Sequence, residues 1–309
     1  MKILFMGTPE FAVPCFEALA DSRHEVCGAV TQTDKPAGRG HKLTAPPVKV
    51  SALSRGIEVF QPETLKDGAF EEELKRLEPD LIAVVAYGKI LPEYILNYPK
   101  YGCVNIHASL LPKYRGAGPI QWSVICGEKK TGITSMLMEK GLDTGDMLLK
   151  CETEIGEYET AAELHDRLMN MGAELLLDTV DGLEKGSITP EKQNDDESCY
   201  APMLSRELAR IDWSKNADEV IHLIHGMNSW PVAHTLYMGE KLKVYRARRG
   251  DKDGCGAAGR ILSAENGGIE VACGNGSVVL TEVQFHGSKA MKVCDYLNGH
   301  TVKVGELLK

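Results

Sequence analysis

Short apolar runs alternate with amphipathic stretches through the first part of the chain. Lys2–Met6 ends at Gly7-Thr8-Pro9 and predicts a first strand, and Glu25–Val30 predicts a second. Leu81–Ala86 reads Leu-Ile-Ala-Val-Val-Ala with no polar position, as parallel strands covered on both faces do. Cys103–Ile106 and Ile133–Met138 are further short strand runs. Between them, Phe11, Cys15, Phe16 and Leu19 recur at helical spacing. A Pro/Gly-punctuated basic stretch over 32–47 leads into a helix reaching Ser54. Phe70–Leu77 is a charged amphipathic helix, Pro119–Cys126 has proline at its helical start, and Ala161–Val180 predicts a long helix. This alternation predicts an α/β domain with a Rossmann-like, open and mostly parallel sheet.

The pattern then changes. Glu184–Ser205 is polar, with Gly186, Pro190 and the run Asn194-Asp195-Asp196-Glu197, and reads as a linker. After one helical stretch, Asp218–His225, come short strand runs at Lys241–Ala247, Gly259–Leu262, Gly268–Cys273 and Ser277–Val283. Gly-rich turns between them predict a small β-barrel of the oligonucleotide-binding (OB) type. The expected division is a domain over 1–183, a linker over 184–205 and a second domain over 206–309.

Composition adds limits. With 43% hydrophobic and 26% charged residues the chain can bury a core and is not a disordered one. No apolar run approaches the roughly 20 residues of a membrane span. The apolar start is too short for a secretion signal and meets Gly7-Thr8-Pro9 at once. The nine cysteines are scattered and never spaced C-x-x-C, which disfavours a disulfide framework or a zinc site and fits the reducing cytoplasm. The net charge of −9 is uneven: residues 205–309 carry 14 basic and 12 acidic side chains, so the acidity lies in the first part. Contact with a polyanion must therefore come from discrete basic segments.

The densest chemistry lies at Asn105-Ile106-His107-Ala108-Ser109-Leu110-Leu111-Pro112. On a strand, residues two apart share a face, so Asn105 and His107 project together at a strand's carboxyl end, where open α/β sheets bind ligands. An amide donor beside an imidazole can hold a carbonyl oxygen that is becoming negative. A second segment, Gly141-Leu142-Asp143-Thr144-Gly145-Asp146, presents a carboxylate from a glycine-flanked turn. Spacing alone does not bring Asp143 to His107, and an Asp there also reads as a simple turn former.

These segments resemble the methionyl-tRNA formyltransferase family over essentially the whole chain. The resemblance is carried by Gly7-Thr8-Pro9, Asp34-Lys35-Pro36-Ala37-Gly38-Arg39-Gly40, Val85-Ala86-Tyr87-Gly88, the Asn105–Pro112 and Gly141–Asp146 segments, Asp212-Trp213-Ser214 and His225-Gly226-Met227-Asn228-Ser229-Trp230-Pro231. Ser229 stands where proline is common and Gly118 where alanine is frequent. The resemblance implies formyl transfer from 10-formyltetrahydrofolate, as co-substrate and with no metal, to the amino group of methionyl initiator tRNA. Asn105, His107 and Asp143 would be catalytic. Val85, Ala86, Tyr87, Gly88, Ser109, Leu110, Leu111 and Pro112 would line the folate pocket. Lys35, Arg39, His41 and Lys42 of the basic loop, with Lys241 and Lys243 of a basic strand, would contact tRNA. A cytoplasmic monomer with no membrane contact is expected.

Plainer readings stand beside these. The 35–42 loop reads equally as a solvated surface loop, and Lys241–Arg249 as a basic edge strand that guards against aggregation. Trp230-Pro231 reads as a packed helix-to-strand junction. His222 and His225, three apart on a helix, read as packing residues and not as metal ligands. The Asn-x-His…Asp set is shared by all folate-dependent formyltransferases. A rival acceptor is therefore a small amine, such as a nucleotide sugar or glycinamide ribotide. A catalytically dead RNA-binding module is a second rival.

Overall fold

Among the described residues of the first part of the chain, nine strands form in order: β1 (Lys2–Gly7), β2 (Glu25–Val30), β3 (Lys35–Ala37), β4 (Lys42–Thr44), β5 (Val59–Phe60), β6 (Leu81–Val85), β7 (Cys103–His107), β8 (Lys130–Leu137) and β9 (Met147–Glu154). The computed structural model describes residues 1–37, 42–66, 68–251 and 256–309. Seven of these strands make one sheet in the order β5-β2-β1-β6-β7-β8-β9. The β5–β2, β2–β1, β1–β6 and β6–β7 pairs are parallel, and β8 runs antiparallel to β7. The all-apolar β6 is buried at every position, as its sequence predicts for a strand covered on both faces. From β1 the chain passes to β2 on one side and later to β6 on the other. The strand order thus reverses at β1, and the crevice beyond its carboxyl end is where such sheets accept ligands.

The helices of this part are α1 (Val13–Ala20), α2 (Pro47–Ser54), α3 (Glu71–Leu77) and α4 (Glu93–Leu96), with α5 (Pro119–Ile125) and α6 (Ala161–Lys185) after them. The α6 helix runs past the predicted stop at Val180, through Gly182, and ends before Gly186, whose φ of +66° suits a left-handed C-terminal position. Strands β3, β4, β5 and β9 and helix α4 had no clear sequence signal. The β3–β4 hairpin lies inside the Pro/Gly-punctuated stretch, β5 has two residues, and β9 reads Met-Leu-Leu-Lys-Cys-Glu-Thr-Glu, apolar only at its start.

The chain divides into two compact units. One comprises Met1–Gly116, Gly132–Thr153 and His165–Tyr200; the other comprises Ala117–Thr131, Glu154–Leu164 and Ala201–Lys309. In the second unit, α7 (Ala217–Gly226) opens on a capping box in which Asn216 and Glu219 satisfy each other's backbone N–H groups. Gly226 allows α7 to approach Ile125 and the Gln121 carbonyl of α5. Strands β10 (Ala233–Tyr237), β11 (Glu240–Arg249), β12 (Ile261–Glu265), β13 (Gly268–Ala272), β14 (Ser277–Gln284) and β15 (Met291–Lys292) form an antiparallel sheet ordered β10-β11-β14-β13-β12, with β15 on β14 and helix α8 (Val293–Leu297) following it.

The last residues close this sheet. Gly305, Glu306 and Leu308 exchange backbone hydrogen bonds with Gly259 and Ile261 beside β12, while Lys309 bonds Leu236 of β10 in both directions. The two outer strands are thereby bridged, which is how a small antiparallel sheet removes its edges. Inside lie Val244, Ala233, Val271, Leu280 and Val283, all fully buried. The Trp213 indole N–H donates to Thr235 Oγ1 at 3.0 Å, which satisfies the one polar group of a buried tryptophan.

Candidate active site

Strand β7 delivers Asn105 and His107 to the carboxyl end of the parallel sheet, next to the end of β6. His107 is buried, and its Nε2 lies 2.9 Å from the Tyr114 carbonyl oxygen. A carbonyl can only accept, so Nε2 carries a proton and Nδ1 is the nitrogen that faces the other way. Nδ1 stands 3.7 Å from Asp143 Oδ2. The spacing predicted for Asn105 and His107 is thus present, and the structure brings Asp143 to the ring, a contact that spacing alone did not give. At 3.7 Å the pair is at an ion-pair distance and does not form a hydrogen bond. The Asn105 side chain is partly exposed and makes no hydrogen bond to the described residues, so its amide is available to a ligand.

Asp143 sits on the turn at φ +53°, in the left-handed region that Asp tolerates better than most residues. Its Oδ2 accepts the Gly116 N–H at 2.8 Å. Gly145 lies so close to the Leu137 carbonyl that a Cβ there would overlap it, so only glycine fits. The segment between the two catalytic candidates is pinned from β8. Thr134 pairs with His107 across the β7–β8 ladder; its hydroxyl donates to the Ser109 carbonyl at 2.7 Å and accepts the Leu111 N–H at 3.1 Å. Nothing in the sequence singles out Thr134, because it looks like any buried strand threonine.

The expected folate wall falls into two strips. Val85 is fully buried, Ala86 is exposed at φ +46°, Tyr87 is buried, and Gly88 is exposed at φ +79°. The Tyr87 carbonyl accepts from Thr8 Oγ1 at 3.2 Å and from Gln32 Nε2 at 2.9 Å, which ties the end of β6 to Gly7-Thr8-Pro9. Burial pushes the Tyr87 phenol up to about 12. In the other strip, Ser109 is fully buried and its hydroxyl donates to the Lys113 carbonyl. Leu111 packs with Met136 and Met147, while Leu110 and Pro112 stay partly exposed.

Of the basic-loop residues, Arg39 and His41 lie outside the described residues, as does the Lys42 side chain. Lys35 is exposed and its ammonium donates to Gln32 Oε1 at 2.6 Å. At the base of the loop, Lys49 donates to both Asp34 oxygens at 2.7 and 2.9 Å, and holds that carboxyl below its ordinary range with help from Gln61.

Lys241 and Lys243 project from the outer face of β11, since Leu242 and Val244, which alternate with them, are buried. Two plainer expectations do not hold in the structure. Strand β11 lies between β10 and β14, so its basic residues do not guard an edge. Trp230 is 56% exposed and not packed; with Arg206, Val232, His234, Lys241 and Lys243 it lines a cavity of about 300 Å³ in the second unit. His225 is a packing residue, as its place on an apolar helix face suggests: it is buried, and its Nε2 accepts the Ala247 N–H at 3.3 Å.

One cluster among the described residues has metal-ligating atoms close together, His24, Asp181 and Glu184. The Arg23 guanidinium already binds both carboxylates, so a cation occupies the position that a metal ion would need. No helix among the described residues is long and apolar enough to cross a membrane.

Comparison with known proteins gives a concordant result. The formyl transferase family profile matches residues 1–180, and the formyl transferase C-terminal domain profile matches residues 203–301. The methionyl-tRNA formyltransferase of Alkaliphilus oremlandii is 53% identical over 308 residues, covering 100% of this chain and 99% of its own. An N-formyltransferase from Helicobacter canadensis, solved with folinic acid and dTDP-3-aminofucose, shares the fold with a TM-score of 0.69 at 17% identity, covering 93% of this chain and 100% of that one. HypX from Aquifex aeolicus superposes with a TM-score of 0.62 at 19% identity over 96% of this chain, which spans only 48% of that longer one. The two family profiles and the full-length relatives show that the chain belongs to the formyl transferase family, among the methionyl-tRNA formyltransferases.

Proposed function

We propose that this protein is a cytoplasmic, monomeric enzyme that transfers the formyl group of 10-formyltetrahydrofolate to the amino group of methionine esterified to initiator tRNA. The observation that carries the reaction is the approach of Asp143 to His107 beside the available amide of Asn105. The full-length identity to methionyl-tRNA formyltransferases carries the choice of acceptor.

The neutral amine attacks the formyl carbon, and the carbonyl oxygen becomes an oxyanion. The Asn105 amide and a charged His107, donating from Nδ1, stabilise it in a site already shaped to do so. Its Nε2–H is engaged by the Tyr114 carbonyl, so Nδ1 is the donor left for the reaction. Asp143, 3.7 Å from Nδ1, orients the ring and takes the proton that leaves the attacking nitrogen, directly or through a water. The oxyanion then collapses, the carbon–nitrogen bond to the folate breaks, and the folate nitrogen takes up the proton removed from the attacking amine and leaves as a neutral amine. No covalent enzyme intermediate is required. Residues 85–88 and 109–112 form the folate wall in this reading.

For the acceptor, residues 1–183 supply the chemistry and 206–309 the grip on tRNA, joined by 184–205. Lys35, Arg39, His41 and Lys42 meet the acceptor end. Lys241 and Lys243, joined in their cavity by Arg206, His234 and the exposed Trp230, meet the phosphate backbone. The assignment of Asn105 is tested by Asn105→Ala: loss of one oxyanion donor lowers kcat by roughly 10²–10³. A kcat within about threefold of the unaltered enzyme, far short of that loss, removes the Asn105 amide from the mechanism.

A further inference from the structure

Both catalytic side chains are held by one three-residue bend. The Tyr114 carbonyl takes His107 Nε2–H, and the Gly116 N–H is given to Asp143 Oδ2. Between them, Arg115 reaches into the polar segment after α6, where its Nε donates to Gln193 Oε1 at 3.0 Å and its terminal nitrogen to Asp195 at 2.8 Å. Gln193 completes the circuit. Its Nε2 donates to the Asp143 carbonyl and to the Gly145 carbonyl, both at 2.8 Å. The amide orientation is unambiguous: two carbonyls demand its donor end and a guanidinium demands its acceptor end. The same segment also touches the bend at a second place, where the Tyr114 N–H donates to Cys199 Sγ at 3.2 Å and the Arg115 N–H to the Cys199 carbonyl at 2.9 Å.

We infer that Gln193 is a positioning residue for the reaction assigned above, on which the inference rests. Gln193 fixes the backbone of the 143–145 turn and thereby sets where the Asp143 carboxylate stands against His107. Asp143 occupies a left-handed conformation that few residues adopt unaided, so the turn needs an external hold. On one side that hold is Leu137, whose N–H donates to the Asp146 carbonyl at 2.9 Å. On the other side it is the Gln193 amide. The His107–Asp143 separation, 3.7 Å, lies just beyond hydrogen-bond range, where a small shift of the turn makes or breaks their contact. Gln193 is only half-buried and lies outside the hydrophobic core clusters, so its weight falls on geometry more than on folding.

The test uses the full chain with two variants. Gln193→Met keeps length and removes every hydrogen bond; Gln193→Glu keeps an acceptor for Arg115 and turns an oxygen toward two carbonyls. Both lower kcat by roughly 10- to 100-fold, the scale of a misplaced catalytic group. The KM for 10-formyltetrahydrofolate and for methionyl-tRNA stays within about twofold in each, and melting temperatures change by only a few degrees. In an Asp143→Asn background Gln193→Met adds almost no further loss, because it acts through Asp143. A kcat near that of the unaltered enzyme, a KM rise that tracks falling stability, or additive losses with Asp143→Asn would each overturn the inference. The ¹⁵N shifts of the His107 ring give a readout independent of turnover: they move in both variants if Gln193 positions the pair, and unchanged shifts reject it. Absence of turnover by the unaltered enzyme instead rejects the assigned reaction.

Discussion

At the scale of single residues, the proposed chemistry rests on the side chains of Asn105, His107 and Asp143 and on the groups that hold them. Asn105 and His107 announce themselves by lying two apart at a strand end. The turn carrying Asp143 is marked by Gly141 and Gly145. What joins them is a carbonyl, a backbone N–H, a strand threonine and Gln193, none of which has a distinctive local pattern. Thr134 looks like β-strand filler, and Gln193 sits in a polar stretch that reads as a connector. His107→Ala is expected to lower kcat by roughly 10²–10³ or more, since it removes an oxyanion donor, while the fold survives. Near-normal turnover by a folded variant would take His107 out of the mechanism. Arg39→Ala is expected to raise the KM for methionyl-tRNA and leave folate affinity alone. A fall in folate affinity with unchanged tRNA kinetics would mean that the loop serves the other ligand.

At the scale of elements, continuous hydrophobicity was a reliable guide. Strand β6 occupies Leu81–Val85 of the apolar run Leu81–Ala86, and β2 occupies Glu25–Val30 as read from the pattern. Strands whose partners supply the burial escaped notice: β10 begins Ala-His-Thr, and β9 alternates into charged residues. Sheet order was also beyond reach, because periodicity says which face is apolar and not which neighbour covers it. That mattered for β11. In sequence its basic face reads as edge protection, but β11 has a strand on each side. An interior strand needs no such protection, which favours ligand contact for Lys241 and Lys243. Replacing both with glutamine is expected to flatten the dependence of log affinity for tRNA on log salt by roughly 1.5, about 0.7–0.9 for each phosphate no longer neutralised. An unchanged slope would clear this strand of a phosphate-binding role.

For the whole molecule, the class of each half followed from the change in pattern near residue 184. The interleaving did not: segments 117–131 and 154–164 belong to the second compact unit although they fall within the first part of the sequence. Acid stability is a property at this scale. Burial, with smaller opposing and reinforcing charges such as Arg246 nearby, holds His225 down to about 4 against an ordinary 6.5. Between those values the unfolded chain binds a proton that the native chain does not. Stability is therefore complete above about pH 6.5 and is lost as pH falls toward 4, by roughly 3 kcal/mol over the whole window. His225→Gln, which keeps an acceptor near the Ala247 N–H, is expected to flatten the dependence of the melting temperature on pH in that window. A slope as steep as before would place the acid sensitivity elsewhere.

The proposed function joins a reaction to an acceptor, and one assay tests both. Initial rates of formyl transfer from 10-formyltetrahydrofolate are measured with methionyl initiator tRNA, uncharged tRNA, free methionine and an aminated nucleotide sugar as acceptors. Rapid formylation of the charged tRNA is expected, and none of comparable rate with the other three. Efficient formylation of the nucleotide sugar, with methionyl-tRNA left untouched by a folded enzyme, would contradict it.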